Sequence, residues 1–325
     1  MGTYMCLGGY FSRRALVRKS REGFVRDRLY RLGLPTIAYT AIGAPLCAGI
    51  VRAWQGYPVG LHWLIDYWRE QRGIRGPVWF TGTLLCFDLG LVAYDRLQSV
   101  LYTDSTDGPS PSKNDKGVNP LKLYASIALC SISDFFIRIF YPVGAVVNPL
   151  KLQPAYLSQY IATYSLGASV SNLAEAIPSL PTSAGLLLTS LASGFVLFQG
   201  LKNDPSSTAQ MAGGWNNLAA AYALWNNANG YLVGSCVLAA FRRYSTTSWR
   251  AINAMAFPAF LVHMPVITLL GIATDKWEMG PVAKTAVIGA AGVVGSWIVG
   301  YAADRLWLWA KGVVVGLQGQ DKLQK

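Results

Sequence analysis

The feature that most limits how this chain can fold is that its apolar residues come in blocks of roughly 18 to 24, about the length a helix needs to cross a bilayer core of ~30 Å. Eight such blocks stand between polar breakers, at residues 34–53, 78–95, 121–142, 156–174, 183–201, 218–241, 252–273 and 282–303. Inside lipid every backbone N–H and C=O must be satisfied within the segment, so each block is expected as a helix. Only 14% of residues are charged and 52% are apolar, whereas an ordinary soluble domain carries about a quarter charged. The expected fold is therefore all-α, a polytopic integral membrane helical bundle. Eight complete spans follow an N-terminal partial helix in MGTYMCLGGYF. A water-soluble globular enzyme is excluded.

The net charge of +12 is explained by topology. Basic residues sit beside the apolar blocks and do not alternate with aromatics along one face, so the expected partner is the lipid bilayer and no nucleic acid. Residues 12–33 hold Arg13, Arg14, Arg18, Lys19, Arg21, Arg26, Arg28 and Arg31 against Glu22 and Asp27. Lys and Arg collect on the cytoplasmic side of membrane proteins, so this stretch is expected as a cytoplasmic basic loop. Counting spans from it brings the C-terminus to the same side, in an endomembrane or plasma membrane. The run TDSTDGPSPSKNDKG at 103–117 is expected as a mobile loop. Residues 1–325 otherwise read as a single domain without an internal repeat. Residues 60–75, with His62, Trp63, Asp66, Trp68 and Arg69, are too polar to span and suit a short interfacial helix or a re-entrant loop. Five scattered cysteines without C-x-x-C spacing read as packing residues. No metal-ligand spacing, P-loop, dinucleotide fingerprint or G-x-S-x-G elbow is present.

Several stretches, taken in order, resemble the acyltransferase family 3 integral membrane proteins. They are LGGYF at 7–11, a basic stretch ending in RLYRLGLP at 28–35, GPVWFTGTLL at 76–85 and FPAFLVHMPVI at 257–267. LQPAYLSQYIATYSLG at 152–167 is similar to a segment of fungal-type members. The resemblance implies a membrane-bound enzyme moving an acyl group, often acetyl, from acyl-CoA onto a hydroxyl of a carbohydrate or small metabolite. Acyl-CoA would be the co-substrate and no metal is implied. The first helix of the family carries an Arg and a His that serve catalysis, and this chain is expected to lack that helix. Two other expectations stand beside the enzyme: a transporter or flippase without covalent chemistry, and a truncated non-catalytic relative.

Candidate site residues follow from the chemistry. Arg28 and Arg31, three apart on one helical face, suit the phosphates of coenzyme A. Positive-inside anchoring and lipid headgroup binding account for the same residues. Acyl transfer to a hydroxyl needs a base and oxyanion donors. His263, ahead of Met264 and Pro265, is an ionisable group at membrane depth, suited to that task or to a structural hydrogen bond. Asp134 is the second catalytic candidate, and Arg138, four residues on, makes an ion pair the alternative reading. Asp88 requires a cation from another helix. Trp79, Asn216 and Asn227 are substrate-binding candidates, with interhelical bonding the other role for the asparagines. GAAGVVGSWIVG at 289–300 reads as close helix packing.

Overall fold

The computed structural model describes residues 1–70, 73–101, 120–173, 177–199, 206–245 and 250–323, with side chains at all of these except 120, 122, 250–254 and 307–323. They form helices and, among the described residues, no strand. In chain order these are α1 (Gly2–Arg18), α2 (Arg21–Trp54), α3 (Leu61–Glu70), α4 (Gly76–Leu101), α5 (Pro120–Phe140), α6 (Leu157–Ser169), α7 (Leu180–Gln199), α8 (Ser206–Ala212), α9 (Asn217–Tyr244), α10 (Arg250–Ala273) and α11 (Pro281–Leu323). Among the described residues, six helices are long and apolar enough to cross a membrane: α2, α4, α5, α7, α10 and α11. The polytopic helical bundle is thus in place. Two of the eight expected spans differ from the others. Helix α6 has 13 residues, where about 20 are needed, and α9 is long enough at 28 but its asparagines dilute its apolarity. Outward-facing residues such as Phe195 and Val196 on α7, 65% and 72% exposed, form a surface suited to lipid.

The basic stretch 12–33 is helical, with one break at Lys19–Ser20, and so is not the loop expected. Arginine is a good helix former, and Arg18 in the last turn of α1 favours the helix dipole. Ser20 then caps α2, accepting from the Gly23 N–H at 3.1 Å, with Glu22 in the first turn. Carboxylates neutralise much of the charge: Asp95 takes Arg13 and Arg21 at 2.9 Å each, and Asp27 takes Lys19 at 3.0 Å and Arg31 at 2.9 Å. The loop expected at 103–117 lies outside the described residues.

Helix α2 contains two π turns, Leu29–Gly33 and Tyr39–Gly43, each ending two residues before a proline, Pro35 and Pro45. A proline offers no N–H to the carbonyl four residues back, and widening the helix is one way to absorb that loss. The carbonyl of Ala41, four before Pro45, accepts the Trp68 indole N–H at 3.1 Å. That bond ties the amphipathic helix α3 to α2.

The chain gathers into two compact units. One comprises Met1–Gly33 with Thr81–Thr246, the other Leu34–Phe80 with Thr247–Lys325. The boundaries fall inside α2 and α4, at positions that no change of composition marks. In the first unit α1 and α6 cross at glycines. A Cβ at Gly9 would overlap the Tyr164 carbonyl, and one at Gly167 would overlap that of Cys6. Absent side chains let the two backbones meet, the usual device of membrane helices. In the second unit α11 lies on α10 in the same way: Gly300 faces the backbone of Pro258 and Ala259, and Gly292 and Gly295 face Ile267 and Val266. This is the packing role expected of GAAGVVGSWIVG.

Candidate functional site

In the first unit four helices bring a polar group each to one buried point. Arg28 Nε on α2 stands 3.0 Å from Asp88 Oδ2 on α4, and Asp88 is 0% exposed. Tyr164 of α6 donates to the other carboxylate oxygen at 2.6 Å. Ser12 of α1 accepts from an Arg28 terminal nitrogen at 3.2 Å, and the guanidinium lies 4.8 Å from the Phe24 ring centre. Asp88 thus receives the cross-helix cation it was expected to need. The same contacts withdraw Arg28 from a phosphate site, since its charge is spent on Asp88.

Arg31 separates from Arg28. Its side chain is 68% exposed and paired with Asp27. The π turn at Leu29–Gly33 explains the divergence: residues three apart share a face only while the turn is α-helical.

A second buried cluster in this unit is centred on Asp134 of α5, itself 0% exposed. Asn227 of α9 donates to its Oδ2 at 2.8 Å and to the Ala223 carbonyl at 3.0 Å, which uses both amide hydrogens. Arg138 does not make the expected direct ion pair with Asp134. It donates instead to the Ala155 carbonyl at 3.2 and 3.3 Å and lies over the rings of Tyr156 and Tyr222, 5.4 and 5.0 Å from their centres. The turn before α6 brings that carbonyl within reach. Gln159 of α6 joins α9 through the Asn226 and Asn227 carbonyls. Asn227 therefore works as interhelical bonding, with no exposed amide for an acceptor hydroxyl.

Asn216 is the N-cap of α9. Its oxygen accepts from the Ala219 N–H at 2.8 Å, and its amide donates to the Gln210 and Gly213 carbonyls at 3.0 and 3.1 Å. Both amide hydrogens are thereby used, so Asn216 serves here as a helix cap.

A cavity of about 740 Å³ opens beside the first cluster, with Arg13, Phe87, Tyr94, Tyr164 and Ser165 on its walls. That volume suits a small organic ligand. Tyr164 thus belongs both to the cavity wall and to the hydrogen bond on Asp88.

The second unit holds His263 and Trp79. Trp79 begins the α-helical part of α4 and meets Phe80 edge-on, centres 6.4 Å apart. On α10, His263 Nδ1 is bonded to the Phe260 carbonyl, its ring tilted against the Phe260 ring at 5.6 Å. A carbonyl only accepts, so the bond places the proton of neutral imidazole on Nδ1 and leaves the Nε2 lone pair as a base. A second cavity, about 550 Å³, is walled by Tyr39, Arg52, Tyr57, Trp63, Tyr67 and Arg75 together with Met264 and Thr268 of the His263 helix. Burial raises the Tyr67 hydroxyl above its ordinary range, partly offset by the Arg75 guanidinium.

Sequence reasoning did not find the supporting groups Ser12, Tyr164 and Gln159, nor the arginines of the second cavity. For Tyr164 and Gln159 a signal existed: Gln159, Tyr160, Thr163 and Tyr164 lie on one helical stripe and are all buried. Among the described residues no group of three or more His, Cys, Asp or Glu side chains stands close enough to hold a metal ion.

Comparison with known proteins gives one finding of consequence. The family 3 acyltransferase domain matches residues 1–301. No curated protein and no solved structure matches the chain.

Proposed function

Given that the chain belongs to acyltransferase family 3, whose domain matches residues 1–301, we propose that this membrane acyltransferase takes an acyl group, acetyl in the first instance, from acyl-CoA. The acceptor is a hydroxyl of a carbohydrate or small metabolite. The family match carries the reading, and the geometry at His263 supports it. Nε2 of His263 removes the acceptor's proton as the hydroxyl oxygen attacks the thioester carbonyl. The carbon–sulfur bond then breaks, coenzyme A leaves as thiolate, and the imidazolium returns the proton to it. Arg31, exposed and held by a single carboxylate, is the residue of the original arginine pair that remains available to a phosphate. Trp79 is proposed on the acceptor side. Asp134, wholly buried, positions α5 against α9 and does not touch substrate.

The test is turnover of labelled acetyl-CoA by the purified protein in detergent, with a panel of hydroxyl acceptors. His263→Ala is expected to lower transfer by about 100-fold or more while membrane expression is unchanged, and Arg31→Gln to raise KM for acetyl-CoA with little change in kcat. A well-folded wild-type protein that leaves acetyl-CoA intact with every acceptor would overturn the reading.

A further inference from the structure

The second unit carries two guanidinium groups whose charge no acid answers. Arg52, in the last turn of the α2 span, donates through Nε to the Pro58 carbonyl at 3.0 Å. Its guanidinium lies 5.2 Å from the Tyr57 ring centre and 5.9 Å from that of Trp63. Arg75 lies 5.5 Å from the Tyr67 ring centre. Both face the cavity of about 550 Å³, and its walls include no carboxylate. Among the described residues neither arginine has an acidic partner; of the two acids nearby in sequence, Asp66 is taken by His62 at 3.3 Å and Arg69 at 3.8 Å, and Glu70 pairs with neither arginine. In the N-terminal basic stretch, by comparison, four of the seven arginines, Arg13, Arg21, Arg28 and Arg31, hold a carboxylate.

We infer that this cavity binds an organic anion, its carboxylate or phosphate held by Arg52 and Arg75 and its ring or apolar face laid on the tyrosine and tryptophan rings. Guanidinium forks match the oxygens of such anions, and stacking on aromatic rings orients the forks without neutralising them. The aromatic walls are themselves held in place. Tyr39, 8% exposed, fills the space that a Cβ on Gly43 or Gly76 would occupy, and Trp63 packs on Gly49, where a Cβ would meet its ring at 3.3 Å. The site is therefore built before a ligand arrives. One wall contains Met264, the residue after His263. The inference rests on the acyl-transfer reading in one respect: it assigns the anion as the hydroxyl-bearing acceptor, a sugar acid, a hydroxy acid or a phosphorylated polyol. A lipid headgroup such as phosphatidylinositol presents the same chemistry from the bilayer, and the experiment separates the two sources.

Binding is measured by calorimetry on the full-length protein in detergent, with glucuronate, glucose and phosphatidylinositol as probes. Saturable binding of glucuronate but not glucose is expected. It should weaken roughly tenfold or more in the Arg52→Gln/Arg75→Gln pair and be largely kept in the Arg52→Lys/Arg75→Lys pair. Loss in the Gln pair alone ties the effect to charge and not to misfolding. The same pattern with phosphatidylinositol in place of glucuronate supports the site and names the membrane as its source. Equal response to glucose and glucuronate, no binding of either anion by the folded protein, or undiminished binding in the Gln pair overturns the inference. Acetyl-CoA turnover is read separately. Anion binding without turnover removes the acyl-transfer reading and keeps the site, whereas turnover without anion binding does the reverse.

Discussion

The carboxylate of Asp88 is wholly buried and held by two partners, so its replacement has a definite consequence. Asp88→Asn leaves the Arg28 charge with the Ser12 hydroxyl and no carboxylate, and breaking a buried pair from one side costs about 3–5 kcal/mol. A lowered thermal midpoint in detergent checks this, and the double variant Arg28→Met/Asp88→Leu should recover part of the loss. Asn227→Leu removes the amide that donates to Asp134, at a cost of about 1–3 kcal/mol, measured in the same way; an unchanged midpoint would mean that water or a neighbour replaces the amide. Asp88 shows how far such pairs are legible in sequence. A lone aspartate in an apolar block announces that a cation must come from elsewhere, but nothing local says which of the chain's 28 lysines and arginines supplies it. Asn216 shows the converse: an asparagine before a helical run is a cap by its position, a signal that neither role expected of it had used.

At the level of helices, glycine placement decides which backbones touch. Gly167→Ala puts a Cβ into the Cys6 carbonyl, a backbone atom that cannot swing away, and overpacking of this kind costs about 1–3 kcal/mol. Gly185→Ala on α7 has nothing within 4 Å of the added carbon and should be neutral or slightly stabilising. Comparing the thermal midpoints of the two variants tests the crossing of α1 and α6, and equal midpoints would refute it. Apolar block length revealed the helices, and the small-residue run at 289–300 revealed one contact. The LGGYF contact was hidden because its partner lies about 160 residues along the chain. The π turns were hidden too, because proline announces only a lost hydrogen bond and a helix can answer by kinking, breaking or widening.

For the molecule as a whole, α2 counts 34 residues, more than the roughly 20 that cross the hydrocarbon core. Its first residues, around Arg21, are therefore expected outside the apolar layer on the cytoplasmic side. Labelling with an impermeant maleimide in oriented vesicles checks this, in a protein whose five native cysteines are replaced: Lys19→Cys and Pro58→Cys should react from opposite faces, and labelling from one face would refute the topology. Blocks of apolar residues made the membrane class plain in the sequence, whereas the division into two units was not, since its boundaries cut through continuous helices and not through linkers. The Arg28–Asp88 pair also bears on how the protein is made. Helix α4 leaves the ribosome carrying a carboxylate that would cost about 2.5–3.5 kcal/mol to leave bare at mid-membrane, and the neutralising arginine has by then already been synthesised. Biosynthetic order thus supplies the counter-ion before the charge that needs it, and a chain deprived of Arg28 would present an unshielded acid at the moment of insertion.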